Sequence, residues 1–390
     1  MSEFSKGRLD RMRDVLASHV GDRTVPGLVA LLARGGEVHA DALGDQAFGG
    51  PPMRRDSLFR ISSMTKPVTA VAAMVLVEEC VLRLDDPVTG LLPELADMRV
   101  LSRPDAPVDD TVPARRAITV RDLLDFRLGT GMILDAEAFG YPVYEAAHAL
   151  GLLGYGPPAP DAALTPDEWM AGLGSLPLVH QPGERWLYNT GSYVLGVLIA
   201  RATGGSLGAF LRERIFEPLG MADTGFTVPA GGLPRFTTQY GEDGSPMDGP
   251  EDSPWARPPA FEDGGAGLVS TADDYLAFAR MLLGKGAYGG ERILSRASVE
   301  LMTSGQLTPE QQADAFGGAA TWGFGVSIVT RRDALSSTPG RYGWDGGLGT
   351  SWWNDPAEDF TGILLTPRMG YPPLSPVYND FWTTAYAALT

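Results

Sequence analysis

Between Val68 and Val77 every residue except Thr69 is apolar: Val68, Ala70, Val71, Ala72, Ala73, Met74, Val75, Leu76 and Val77. A helix built from these residues has no polar side to offer solvent, so it must be covered all round. The run is too short to cross a bilayer, so its cover must be protein. The chain therefore needs a core large enough to enclose a helix. Its 390 residues, 44% hydrophobic and 20% charged, supply one, as a single large domain or two intertwined ones.

At the head of this run stands Ser63-Met64-Thr65-Lys66. Residues three apart are close to one helical turn apart and leave a helix on the same face. Lysine is scarce, occurring only at Lys6, Lys66 and Lys285. A lysine kept from water releases its proton more readily and can then take one from a neighbouring hydroxyl. Ser63 is thus a candidate covalent nucleophile and Lys66 its base. The same four residues also suit an ordinary solvated helix start, and the apolar run behind them favours the buried, catalytic alternative. Pro67 lacks an N–H and cannot bond the Ser63 carbonyl. The helix must begin near Ser63, where free N–H groups and the positive dipole end favour a developing oxyanion.

An amphipathic helix is expected over residues 4–20, then strands over 28–33 and 38–43 joined at Gly35-Gly36. Helices follow at 120–126, 166–173, 191–203 and 207–216, with Pro- and Gly-rich loops between them. After Ala266 helices at 272–283 and 297–302 lead to strands at 323–329, 342–344, 351–354 and 360–365 and a last helix at 377–389. Strands at both ends and helices between them predict an α/β (α+β) architecture, an antiparallel sheet flanked by helices. Residues 1–82 and 262–390 would form the α/β domain and residues 83–261 an inserted, mostly helical one, with the site in the cleft between.

The formal charge of −17 makes nucleic acid and anionic membranes poor partners. His19, His39, His148 and His180 show no metal-ligand spacing, so neither metal nor cofactor is expected. Cys80, the only cysteine, excludes an internal disulfide and is expected to be a small core residue. The N-terminus has no basic start followed by an apolar block, which favours a cytoplasmic location.

A serine–lysine pair still needs a proton shuttle and an oxyanion hole. In Trp186-Leu187-Tyr188-Asn189-Thr190-Gly191 the phenol of Tyr188 is either the shuttle or a core tyrosine at a helix start capped by Asn189 or Thr190. In Gly343-Trp344-Asp345-Gly346-Gly347-Leu348-Gly349 the glycines serve either a close backbone approach or a hairpin turn. On the first alternative the N–H of Gly347 joins that of Ser63 as an oxyanion donor. Gly204-Gly205-Ser206-Leu207-Gly208 fits the nucleophile elbow of α/β-hydrolases, but no histidine follows it in the chain, and Ser206 reads as a helix N-cap.

Together these motifs resemble the serine β-lactamase and penicillin-binding superfamily, in its class C β-lactamase-like branch, most closely the family VIII carboxylesterases. Residues 60–70 carry the first motif. Ile118 to Leu124, Gln181 to Tyr188, Glu217 to Met221 and Gly264 to Thr271 continue the likeness over nearly the whole chain. The resemblance implies an acyl-enzyme on Ser63 with Lys66 and Tyr188 in acid–base roles. It also implies a substrate pocket bordered by Thr190, Trp344, Asp345 and Gly346. Thr190 stands where the lactamases and peptidases carry asparagine, and Trp344-Asp345-Gly346 where they carry Lys-Thr-Gly or His-Thr-Gly. The cation that would hold a substrate carboxylate is gone, so a neutral small-molecule ester or amide is the expected substrate. Asp345 would either attract a substrate amine or point to the other side of its strand towards an arginine. The competing readings are a β-lactamase or D-alanyl-D-alanine carboxypeptidase, an acyltransferase, and a non-catalytic binder on the same scaffold.

Overall fold

Alternation along the strand at Gly27–Arg34 (β1) sets the layers. Leu28, Ala30 and Leu32 point to one side and Val29, Leu31 and Ala33 to the other, and all six are buried. A strand covered on both faces must lie inside a sandwich. The computed structural model describes residues 3–21, 24–133, 140–152, 158–162, 164–370 and 375–390. In it β1 lies in a seven-stranded antiparallel sheet with Glu37–Gly44 (β2), Ala320–Trp322 (β3), Ser327–Val329 (β4), Tyr342–Gly346 (β5), Thr350–Asp355 (β6) and Phe360–Leu365 (β7). The strand order is β3-β4-β5-β6-β7-β1-β2, so the N-terminal hairpin completes a sheet made by the C-terminal third.

One face carries the helices Lys6–Ala17 (α1) and Pro376–Ala388 (α5). Met12, Leu16, Phe381 and Trp382 pack there with Leu28, Leu32 and Leu364. The other face carries Thr65–Glu78 (α2) and Ala272–Leu283 (α4), and Val68, Val71 and Phe278 pack there with Leu31, Trp352 and Ile363. α2 is buried from Thr65 to Leu76. On its far side it meets Thr190–Thr203 (α3), which is buried from Thr190 to Ile199. The all-round apolar composition of α2 is thus matched by cover on every side. No single helix among the described residues is long and apolar enough to cross a membrane.

Several sequence expectations need correction. The strand expected at 323–329 is the end of a hairpin: Gly325 has φ +74° and turns β3 back into β4. The same segment approaches the backbone closely, since a Cβ on Gly323 would lie 2.1 Å from the Met302 carbonyl. Cys80 is not a core residue. α2 ends at Glu78, the chain turns at Cys80 with φ +58°, and the thiol side chain is exposed. The loop expected between the helices at 120–126 and 166–173 contains a further helix at Pro142–Ala149, and residues 134–139, 153–157 and 163 lie outside the described residues. Ser206, by contrast, is the N-cap read from the sequence, its hydroxyl accepting from the N–H of Ala209 at 3.1 Å.

Candidate active site

The entry to α2 is held by long-range contacts. Arg60 is buried, donates to the Thr237 carbonyl at 2.7 Å and to Asp248 at 2.6 Å, and lies over the ring of Phe236. Ser62 takes a left-handed φ of +46°, uncommon for a residue with a side chain. It opens a short 3-10 turn, Ser62–Met64, that runs into α2 at Thr65. Tyr275 of α4 donates its hydroxyl to the Met64 carbonyl at 2.8 Å, and the hydroxyl of Thr65 accepts from the N–H of Leu268 at 3.2 Å. Strain of this kind is kept only where surrounding contacts determine it.

The result is a half-buried Ser63 above a fully buried Lys66, which is 0% exposed. Lys66 Nζ lies 2.9 Å from Ser63 Oγ and 2.7 Å from the Gly265 carbonyl. Burial pushes the Lys66 ammonium down to about 7, against the opposing pull of Asp263. The hydroxyl of Tyr188 lies 2.9 Å from the same Ser63 Oγ, and Lys66 Nζ sits 4.7 Å from the centre of the Tyr188 ring. Tyr188 is aimed by the turn after it: Asn189 has φ +84°, and α3 begins at the next residue. Its backbone pairs with Met132, each N–H donating to the other carbonyl, at 2.7 and 3.0 Å.

β5 closes the site from the sheet side. A Cβ on Gly346 would meet the Ile61 carbonyl at 2.4 Å and the Thr350 hydroxyl at 2.2 Å, so only glycine lets the strand lie this close to the serine turn. Gly346→Ala is expected to cost about 1–3 kcal/mol through overpacking and to lower turnover with it, read as a fall in Tm alongside kcat. Gly347, exposed at the start of the β5–β6 turn, follows directly. Trp344 Nε1 donates to the Tyr188 hydroxyl at 2.9 Å, leaving the phenol oriented between indole and serine. Trp344→Phe removes that donor and is expected to lower kcat/KM about tenfold, the worth of one hydrogen bond of ~1.4 kcal/mol. The rings of Trp322, Phe126 and Trp186 pack around Tyr188 and Trp344.

Two residues expected in the pocket lie elsewhere. Trp344 pairs across with Trp352 and Asp345 with Ser351, so neighbouring residues of β5 face opposite sides of the sheet. Trp344 faces the site. Asp345 faces α5, where its carboxylate accepts from Ser351 at 2.6 Å, Trp353 at 3.0 Å and Tyr378 at 3.2 Å. Burial pushes its carboxyl up, against the Ser351 hydrogen bond. Asp345→Asn sets an amide among three donors and is expected to cost about 1–3 kcal/mol. Preference between cationic and neutral esters should not change, as a matched pair of p-nitrophenyl esters would show. Thr190 is 0% exposed in the first turn of α3, its hydroxyl without a partner among the described residues. The turn at Asn189 carries it inward, so it borders no open pocket.

Sequence reasoning passed over Asp263. It stands directly before the glycine pair Gly264-Gly265 and is buried, with Oδ1 accepting from the N–H groups of Gly265 at 2.7 Å and Ala266 at 3.0 Å. An aspartate directly before the glycine pair that opens the motif Gly264 to Thr271 was the available signal.

The family described as Beta-lactamase matches this chain over residues 12–383. Protein Rv1367c of Mycobacterium tuberculosis (strain ATCC 25618 / H37Rv) is 43% identical over 342 residues, covering 84% of this chain and 80% of that protein. Esterase EstB of Burkholderia gladioli is 33% identical over 393 residues, covering 91% and 89%. Among solved structures, that of EstCE1, a hydrolase with promiscuous acyltransferase activity, superposes with a TM-score of 0.80 at 25% identity, over 98% of this chain and 99% of that one. The sheet with its flanking helices is the fold these proteins share, and the chain belongs to the beta-lactamase family, as an enzyme of the serine-hydrolase type.

Proposed function

We propose that the protein hydrolyses neutral carboxylic esters through an acyl-enzyme on Ser63. The observation that carries this reading is the convergence of Lys66 Nζ and the Tyr188 hydroxyl on one oxygen, each at 2.9 Å. With Lys66 neutral, the Ser63 hydroxyl donates its proton into the lysine–phenol pair as Oγ attacks the ester carbonyl. The N–H groups of Ser63 and Gly347 take the oxyanion. The pair then returns the proton to the departing alcohol as the C–O bond breaks. Water attacks the acyl-enzyme next, gives its proton to the same pair, and releases the acid with Ser63 restored. Lys66 and Tyr188 act on the same oxygen as one acid–base pair. On this reading residues 83–261 bring Tyr188 to a seam whose other side, residues 1–82 and 262–390, brings Ser63, Lys66 and Gly347.

The substrate class follows from what borders Ser63. Trp344 supplies an indole where a carboxylate-binding cation would stand, and Asp345 is turned to the other face of the sheet. The esterase relative supports the same reading. p-Nitrophenyl acetate and butyrate should be turned over at least tenfold faster than nitrocefin, and the reverse order would overturn the ester assignment in favour of a lactamase. EstCE1 is described as having acyltransferase activity, which favours a second outcome on the same acyl-enzyme: an added alcohol intercepts the acyl group. Product analysis with and without butanol separates transfer from hydrolysis.

A further inference from the structure

The proposed mechanism uses no carboxylate, yet one is enclosed beside its lysine. Asp263 is 5% exposed. Its side chain closes a turn on its own backbone, through the N–H groups of Gly265 and Ala266, while its main-chain carbonyl accepts from Gly267 at 3.0 Å. The turn has no slack. A Cβ on Gly264 would lie 2.8 Å from the Ser192 carbonyl, and one on Gly265 would lie 2.4 Å from the Tyr193 ring. Thr69 of α2 donates to the Gly264 carbonyl at 2.7 Å, and Lys66, one turn earlier, donates to the Gly265 carbonyl at 2.7 Å. Asp263 therefore shapes the peptide that holds the lysine. Its second carboxylate oxygen is buried as well, and the Tyr193 phenol, which acts on the carboxyl, is 1% exposed.

We propose that Asp263 is a positioning residue of this site: its carboxyl places the Gly265 carbonyl on Lys66 and sets the charge balance around that amine. The inference rests on the reading of Ser63 and Lys66 given above. Among the described residues the groups facing the Lys66 amine are the Ser63 hydroxyl, the Tyr188 ring and the Gly265 carbonyl, and the Asp263 carboxyl acts on it through its charge. A negative charge nearby favours the protonated amine. Burial also pushes the Asp263 carboxyl up, against the Gly265 N–H and the Lys66 charge; in its ionised form the carboxylate opposes the loss of the lysine proton that burial promotes. The pair is buried between α2 and α3, where water screens little.

The test uses Asp263→Asn, whose side-chain oxygen can keep both turn hydrogen bonds while the charge is lost. Asp263→Ser, whose hydroxyl closes a similar turn, is the companion variant. The acid limb of kcat/KM for p-nitrophenyl butyrate should move to lower pH by about one unit in both. The acid limb of labelling by a fluorophosphonate should move with it. An unmoved limb in both variants would overturn the proposal. So would failure of both to fold, because the carboxylate would then serve the fold itself. Ser63→Ala, assayed in parallel, separates the two levels of inference. If it still labels and turns over ester, the acyl-enzyme reading fails. If it is dead and the Asp263 variants keep the parental limb, only the role of Asp263 fails.

Discussion

Ser63→Ala is expected to remove ester hydrolysis almost completely, with kcat/KM falling by about 10⁴-fold or more. Losses of this size are typical when the nucleophile of a serine hydrolase is deleted, because the remaining groups have no oxygen to activate. The fold should not notice. Ser63 is half-buried, and Lys66 keeps its hydrogen bond to the Gly265 carbonyl when the serine oxygen is gone. Tm should therefore stay within a few degrees of the parent, while intact mass after fluorophosphonate treatment shows no adduct. Full activity in this variant would end the acyl-enzyme assignment. Activity lost together with Tm would leave it unsupported by this variant, and the labelling stoichiometry of the parent protein, one adduct on a Ser63 peptide, then decides.

Lys66→Met should cost about 10³-fold or more in kcat/KM, since it removes a proton acceptor 2.9 Å from the attacking oxygen. Two pH signatures accompany it. In the parent, activity should rise through about pH 7, where the buried amine loses its proton. Stability should depend on pH for the same reason. The folded amine titrates at about 7, below its ordinary 10.5, so between those values the unfolded chain binds the extra proton. Stability then falls as pH drops from about 10 towards 7, and below 7 this contribution is constant. Methionine fills similar space without a proton site, so the variant should lose that slope. Tm measured at pH 7 and pH 10 in both proteins provides the check. An equal pH dependence in parent and variant would show that Lys66 is not the depressed amine.

Much of the site was legible locally. Ser63 and Lys66 are three residues apart at the head of an apolar run, and Pro67 sets where the helix can begin. Those are properties of one turn of chain. The hairpin of β1 and β2, the helix at Ala272–Leu283 and the strand at Phe360–Leu365 were equally local, because period-two and 3.6-residue patterns report burial directly. The hairpin at β3 and β4 was harder. Its residues read as one apolar strand, and the reversal depends on Gly325 taking a positive φ against α2, where its Cβ would meet Ala70. Cys80 misled because it closely follows the apolar run ending at Val77, while Glu78 and Glu79 intervene and the helix ends two residues before it.

The sequence by itself determined the chemical kit: a serine and a lysine on one face, a phenol before a helix, and glycines that allow a strand to approach. Through its family resemblance it also implied that Trp344 stands where the lactamases and peptidases carry a cation. Only the tertiary structure decided which groups meet. The cross-strand register sends Trp344 to the phenol and Asp345 to α5, the turn at Asn189 buries Thr190, and the turn at Gly264-Gly265 brings Asp263 to Lys66 across nearly two hundred residues. Residue type and spacing specify a side chain's chemistry and its local direction. The environment that shifts its proton affinity is made by segments distant in the chain, and it exists only once they pack.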